Sequence, residues 1–547
     1  MSNSDKFRNY QPIIFAFLFV IGMLFGAVLM NIRFSSKSSL KESIFNFSFN
    51  KYDKLNDVIN YISDNYVDSV NKETLINDAI NGLLGKLDPH SAYISANELK
   101  QMNESLQGNF EGIGVEFRIE KDTVIVLNTI SGGPSEKVGI KAGDRIIKVN
   151  DTLVAGVKIK NQEIVKKLKG PKNTEVKVSI LRRNISELIN FKIIRDVIPT
   201  YSVDIAYMVD KEIGFIMLNR FGATTYDEFI EAVNNLKFKG MKKLIVDLRG
   251  NGGGYLNAAI NIANEFLEKK QLIVYTEGRN RPKTYEYATS SGSLKNTPFV
   301  LLIDEWSASA SEVLAGALQD NDKGVVIGKR SFGKGLVQEQ TELMDGSALR
   351  LTVARYYTPS GRSIQRPYSD NSDEYYMNFY KRFLDESDSS DTLSKHAVKY
   401  YTPKGKIVYG GGGITPDIIV NYNPNKYSKY FNQLSDKSLI YEFSFEYSDI
   451  LRDSLKNIYK NAKDFNAKFI ITQKVFNDFI GYAVKKGVKE DKNEKINSEF
   501  LIKIMLKAYI GRNLFSNEAF YPTIHKIDDT FLKAIEVLKD SKLYNSY

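Results

Sequence analysis

The stretch FVLLIDEWSASASEVLAGALQD, Phe299–Asp320, decides the fold. It opens on an apolar run, passes through a loop with three serines spaced by single alanines, and continues in residues that favour a helix. That order is strand, turn, helix. The same order stands upstream, where KLIVDLRG (Lys243–Gly250) reads as a buried strand and RGNGGGY (Arg249–Tyr255) as a glycine-rich turn before a helix. EIGFIMLNRF (Glu212–Phe221) and TTYDEFIEAVNNLKFKG (Thr224–Gly240) supply a further strand and helix. Strands alternating with helices predict parallel βαβ units, whose ligands sit at the carboxyl ends of the strands. The glycine turn and the serine turn both fall at such ends.

A serine hydroxyl is a weak nucleophile without an adjacent base. The chain has three histidines, His90, His396 and His525, and none is near Ser307, Ser309 or Ser311 in sequence. A serine at a strand-to-helix turn stands among backbone N–H groups with no intrahelical acceptor. That setting suits an oxyanion hole. It equally suits an N-cap, and Ser309 with Glu312 matches a capping box. A different base is available in VVIGKRSFGKGLVQEQ (Val325–Gln340), which puts Lys334 between two glycines after a short buried strand. Desolvation can bring a lysine toward neutrality, and a Ser–Lys pair is a known variant of the serine triad. If the segment is a strand, Gln338 shares a face with Lys334 and can hold its amine. An exposed loop lysine is the competing reading in a chain with 75 Lys and Arg.

At 547 residues the chain should hold three or four units, and 43% hydrophobic residues suffice for their cores. The net charge of +10 is spread thinly, without a dense basic stripe or a zinc-finger spacing, so nucleic-acid binding is disfavoured. The absence of cysteine excludes disulfides, thiol catalysis and thiolate metal sites. No two histidines stand four apart, so neither metal nor cofactor is expected. Ile13–Ile32 is an uncharged run of 20 residues, long enough to cross a membrane and longer than a usual signal-peptide core. It is expected to be an uncleaved anchor, preceded by a short tail (1–12). Basic residues flank it on both sides, so they do not orient it.

Residues 40–105 read as mainly helical, with Leu55, Val58, Ile59 and Ile62 on one helix face and a stop at LDPHSAYIS, Leu87–Ser95. From Gly108 the texture changes to short strands and glycine turns. Over 106–196, GIGVEF (Gly112–Phe117) and GPSEKVGIKAGDRIIKVND (Gly133–Asp151) resemble a PDZ domain. The resemblance implies that the backbone of Gly112, Ile113, Gly114 and Val115 binds a C-terminal carboxylate while the peptide adds to a sheet edge. Residues 197–423 form the α/β part, with DESDSSD (Asp385–Asp391) read as a solvated loop. Residues 424–547 read as helical and carry no recognisable chemistry.

Taken in order, LDPHSAYIS, the PDZ-like segment, DLRGNGGGYL, SASASEVLAGAL and SFGKGLVQ resemble the carboxyl-terminal processing proteases, the S41 serine peptidases. The resemblance covers roughly residues 50–420. It implies an α/β protease core of βαβ units, ClpP/crotonase-like, with an inserted mainly-β PDZ domain between N-terminal and C-terminal helical regions. It implies Ser309 as nucleophile, Lys334 as base and Gln338 as its support. The implied oxyanion donors are the backbone of Ala310 and of Gly252 or Gly253. Ser307 and Ser311 then pack or cap, Glu312 caps the helix or pairs with a nearby cation, His90 is structural, and Asp247 and Arg249 support the glycine turn. Trp306 is either a wall of the cleft or packing. The substrates expected are proteins or peptides with accessible C-termini, cleaved by an endopeptidase of the bacterial inner membrane acting in the periplasm. A homo-oligomer or an adaptor stays open as a further partner. Two other functions compete: a non-catalytic PDZ tail-binding protein, and a hydrolase of short peptides that ignores the tail.

Overall fold

The computed structural model describes residues 54–290, 292–369, 372–384, 398–421, 423 and 426–547. The expected anchor at 13–32 and the acidic stretch at 385–391 lie outside them. No described helix is long and apolar enough to cross a membrane. The chain divides into two compact units, 1–80 and 81–547. In the first, the helix Lys54–Asn65 buries Ile59 but leaves Leu55 and Val58 exposed, so the expected apolar face is only partly turned inward.

The second unit is built on a six-stranded sheet. Its strands run in the order Val203–Met208, Ile213–Leu218, Lys243–Asp247, Phe299–Ile303, Val325–Gly328 and Ile418–Ile419. The first pair is antiparallel and every other pair parallel. Parallel strands covered on both faces read as continuous apolar runs, which is what FVLLI and KLIVD are. Alternate residues leave by opposite faces. Leu244, Val246, Leu301 and Ile303 pack with the helices Thr225–Phe238, Leu256–Phe266 and Ala310–Asp320. Ile245, Val300 and Leu302 pack with Phe531, Ala534, Val537 and Leu538 of the helix Asp529–Lys539. The C-terminal residues therefore complete the core of this α/β part, a contribution that the sequence alone did not reveal.

A second sheet is antiparallel and was not read from the sequence. It joins Leu272–Gly278, Arg281–Tyr287, Leu336–Glu342 and Ala348–Tyr357. LDPHSAYIS does more than stop a helix, because Ala92–Ile94 adds to this sheet opposite Ala348–Arg350.

The PDZ segment is a sheet in which Val115–Glu120 is an edge strand, closed by the helix Asn161–Leu168 over a core that includes Val124, Val126, Ile146 and Ile164. Its entry and exit strands, Asn109–Gly112 and Asp196–Pro199, pair with each other, as an insertion requires. The helices from Lys429 to Ile524 have their own core. The last of them, Lys492–Ile524, is kinked where Phe515 and Ser516 leave helical geometry. This layer touches the PDZ sheet. Asp449 pairs with Arg145 at 2.6 Å, Tyr441 lies 3.7 Å under the Arg118 guanidinium, and Asn128 Nδ2 donates to Ser516 Oγ at 3.0 Å.

Candidate active site

Three loops meet at the carboxyl ends of three neighbouring parallel strands, those ending at Asp247, Ile303 and Gly328. The middle loop delivers Ser309 to the start of the helix Ala310–Asp320, which is buried along its whole length. Ser309 has φ 55° and ψ −114°, a conformation that a residue with a side chain seldom adopts and that persists only where its surroundings enforce it.

The enforcement is visible. Ser307 Oγ donates to Leu248 O at 2.8 Å, and Ser311 Oγ donates to Asn251 O at 2.8 Å. Ala308 N–H donates to the same Asn251 carbonyl at 3.0 Å. The flanking serines thus sew the serine turn to the glycine turn. Gly253 packs directly under it: a Cβ there would stand 2.8 Å from Ser309 Cβ and 2.7 Å from Ala308 O. Its φ of 100° also disfavours any side chain. The Gly253 N–H is engaged by Asn251 Oδ1 at 2.9 Å. Gly252 faces open space. Ala310 opens its helix, so its N–H has no intrahelical acceptor.

Glu312 is fully buried and joins two loops. Its Oε2 accepts from both Ser309 N and Lys334 N at 2.9 Å, and its Oε1 accepts from Gly333 N at 2.7 Å and Ser331 Oγ at 2.5 Å. Burial pushes its carboxyl up to about 7, opposed by those four donors. Tyr356 Oη donates to the carbonyls of Lys334, at 2.7 Å, and Ser309, at 3.3 Å. Ser309 and Lys334, 25 residues apart, are therefore bridged twice through their backbones.

Lys334 Nζ donates to Gln338 Oε1 at 2.9 Å. Burial, followed by the Arg350 guanidinium, lowers the lysine to about 8 against the pull of Glu312 and Asp88. Gln338 Nε2 donates to His90 O at 2.5 Å, which turns the amide oxygen toward the lysine. Lys334 precedes the strand Leu336–Glu342, so it meets Gln338 from a loop and not along a strand face. His90 packs edge-on to Tyr375 and Phe332, and burial lowers its ring to about 4. It is neutral near pH 7, and its contribution to the site is its carbonyl. The carboxylate of Asp88 holds that loop by accepting from His90 N, Ser91 N and Ser91 Oγ.

Arg249 bonds Asp247, as expected of a support for the turn, and also Asp528 at 2.7 Å. Trp306 is 47% exposed and sits edge-on to Phe379. In the PDZ loop, Ile113 O accepts from Ser135 N and Oγ, Gly114 has φ 72° and its carbonyl accepts from Ile130 N, and Val115 begins the edge strand. Sequence reasoning gave Glu312 a helix cap or a nearby cation and missed its bonds to Ser331 Oγ and the Gly333 and Lys334 backbone. It missed Tyr356, Arg350 and Asp528 altogether, since each reaches the site from a distant segment with no motif of its own.

Comparison with known proteins matches these parts. Residues 212–370 match the peptidase family S41, 112–193 a PDZ domain, 27–98 the N-terminal domain of the activating protease CtpB, and 430–516 a family of unknown function. A carboxy-terminal-processing protease of Bartonella bacilliformis is 36% identical over 352 residues, 63% of this chain and 79% of the relative. The carboxy-terminal processing protease CtpA of Bacillus subtilis is 36% identical over 317 residues, 58% of this chain and 67% of its own. Among solved structures, the photosystem II D1 C-terminal processing protease is 26% identical with a TM-score of 0.35, covering 69% of this chain and 87% of that one. A serine turn at the head of a buried helix, a PDZ insertion and a relative of this identity and coverage lead to one assignment: the chain belongs to the carboxy-terminal processing proteases, serine-type peptidases of family S41.

Proposed function

We propose that the chain is a membrane-anchored endopeptidase that takes free C-terminal tails on its PDZ domain and cleaves with Ser309 and Lys334. The observation that carries the dyad is the double bridge, in which Glu312 Oε2 and Tyr356 Oη each bond the backbones of both residues. Neutral Lys334, held by Gln338, takes the Ser309 proton as Oγ attacks the scissile carbonyl. The N–H groups of Ala310 and Gly252 receive the oxyanion, since that of Gly253 is already bonded to Asn251. The Lys334 ammonium then gives its proton to the leaving amine. Water, deprotonated by the same lysine, hydrolyses the acyl-enzyme. Cleavage needs no metal or cofactor in this scheme. The edge strand from Val115 supports strand addition of the tail, with its carboxylate at Gly112–Val115. The uncharged run Ile13–Ile32 supports the anchor, and the reading puts the catalytic part in the periplasm on the family resemblance.

The test is cleavage of one unstructured peptide with an apolar tail, as free acid and as amide, by the full chain and by Ser309→Ala and Lys334→Ala. Loss in both variants with a preference for the free acid is expected. Cleavage by Ser309→Ala would refute the nucleophile, and equal cleavage of acid and amide would refute tail recognition.

A further inference from the structure

The glycine turn is held along its length: Gly250 N–H donates to Asp304 Oδ1 at 2.9 Å, and Asn251 O accepts from Ala308 N–H and Ser311 Oγ. On its far side Gly253 and Gly254 are locked against Phe221: Phe221 N–H donates to Gly253 O, and Gly254 forms a bridge with Phe221. At Gly252 a side chain would meet open space. On the near side the turn begins at Arg249, whose side chain is clamped between two carboxylates. Asp247 takes Nε and Nη2, at 3.0 and 2.6 Å. Asp528 takes Nη1 at 3.1 Å and Nη2 at 2.7 Å.

The two carboxylates differ in kind. Asp247 ends the strand that leads into the turn, so it ties Arg249 to its own strand. Asp528 belongs to another element. It caps the helix Asp529–Lys539, accepting from Phe531 N at 3.1 Å. That helix is rigidly seated, because Phe531, Ala534, Val537 and Leu538 are buried on the sheet. The apolar face and the bond between Tyr207 Oη and His525 Nδ1 at 2.7 Å seat it independently of the ion pair's partners. Burying two carboxylates and a guanidinium carries a desolvation cost that seldom leaves a net gain in stability, whereas it does fix orientation.

We infer that Asp528 is a positioning residue for the oxyanion turn, holding its first residue, Arg249, from the C-terminal helix and so adding to the bonds on Gly250 and Asn251 that set the peptide of Gly252. The inference rests on the assignment of Gly252 and Ala310 as oxyanion donors. It gives residues beyond the peptidase-family match a part in the reaction: the far end of the chain sets the geometry of the charge-accepting turn.

The test uses the full chain with Asp528→Asn and Asp528→Ser. Both residues cap helices well, so the helix start is retained while the ion pair is lost or shortened beyond reach. Asp529→Asn, which removes the neighbouring charge paired with Lys426, is the control. Three quantities are read: kcat, KM, and affinity for a peptide boronate, whose boron becomes tetrahedral and anionic on adding a serine hydroxyl. Expected for both Asp528 variants are kcat and boronate affinity lower by about tenfold with KM within about twofold, a fraction of what removal of an oxyanion donor costs. Asp529→Asn should match wild type. If the Asp528 variants fold, as judged by thermal melting, and keep wild-type kcat and boronate affinity, the inference is overturned. A change confined to KM overturns it equally. If Asp528→Ser unfolds, Asp528→Asn decides alone. Cleavage by Ser309→Ala in the same assay would bring down the underlying site assignment, an outcome separate from these.

Discussion

Lys334 carries the pH dependence of the proposed reaction. Burial and Arg350 hold it near 8, and only the neutral amine can accept the serine proton. Activity, read as kcat/KM on one peptide from pH 6 to 10, should therefore rise with a midpoint near 8, with no step from His90, which is held neutral, and a further loss on the acid side as Glu312, pushed up to about 7, takes a proton. Arg350→Met removes a neighbouring cation, which favours the ammonium, so the midpoint should move upward. A midpoint that stayed or fell would contradict the electrostatic reading. Glu312 makes a second prediction. All four of its partners are donors, so the amide of Glu312→Gln must turn an NH2 toward some of them. Leaving buried donors unmatched costs about 1–3 kcal/mol each, which urea unfolding would register as a lower midpoint at unchanged slope. Lys334 and Gln338 stood out in the sequence through the family resemblance of SFGKGLVQ, since chemistry and spacing alone left an exposed loop lysine as the stronger reading. Glu312 was visible only as half of a capping motif, because its other three donors come from a loop some twenty residues on.

At the scale of elements, the two central glycines of the turn should behave differently. Gly253→Ala would drive a methyl group into Ala308 O and Ser309 Cβ at a positive φ, whereas Gly252→Ala meets open space. The first should lower the melting temperature by several degrees, consistent with about 1–3 kcal/mol for strain and overpacking, and the second should leave it nearly unchanged. Equal melting temperatures would show that the turn yields. The alternation of apolar strands with helices was readable because a parallel sheet buried on both faces needs continuous apolar runs. The antiparallel sheet was not. Arg281–Tyr287 is exposed at every residue and contains a proline, so it carries neither the burial nor the alternation that marks a strand. The short strand in LDPHSAYIS was hidden by its length of three residues.

Across the whole molecule, the C-terminal helices link parts that the sequence keeps far apart. Asp449 is nearly buried and answers Arg145 in a strand of the PDZ sheet and Arg183 in the turn after Leu181. Asp449→Ala should cost both guanidinium groups their carboxylate, leaving Arg145 on Gly143 O and Arg183 on the carbonyl of residue 449, and loosen the contact by about 0.5–1.5 kcal/mol, read as faster amide exchange in Thr123–Thr129 and Arg145–Val149 with the strands Lys243–Asp247 and Phe299–Ile303 unaffected. Protection unchanged in the PDZ strands would show that the contact adds nothing. Partners about 300 residues apart leave no local periodicity to detect, which is why 424–547 read as helices without purpose. The double bridge from Glu312 and Tyr356 has one more consequence. Ser309 rides on a helix and Lys334 on a loop before another sheet, yet both are referenced to the same two oxygen atoms. Small slippage between helix and sheet is then shared by the pair as a common displacement, and the separation between hydroxyl and amine is shielded from motions that the rest of the molecule undergoes.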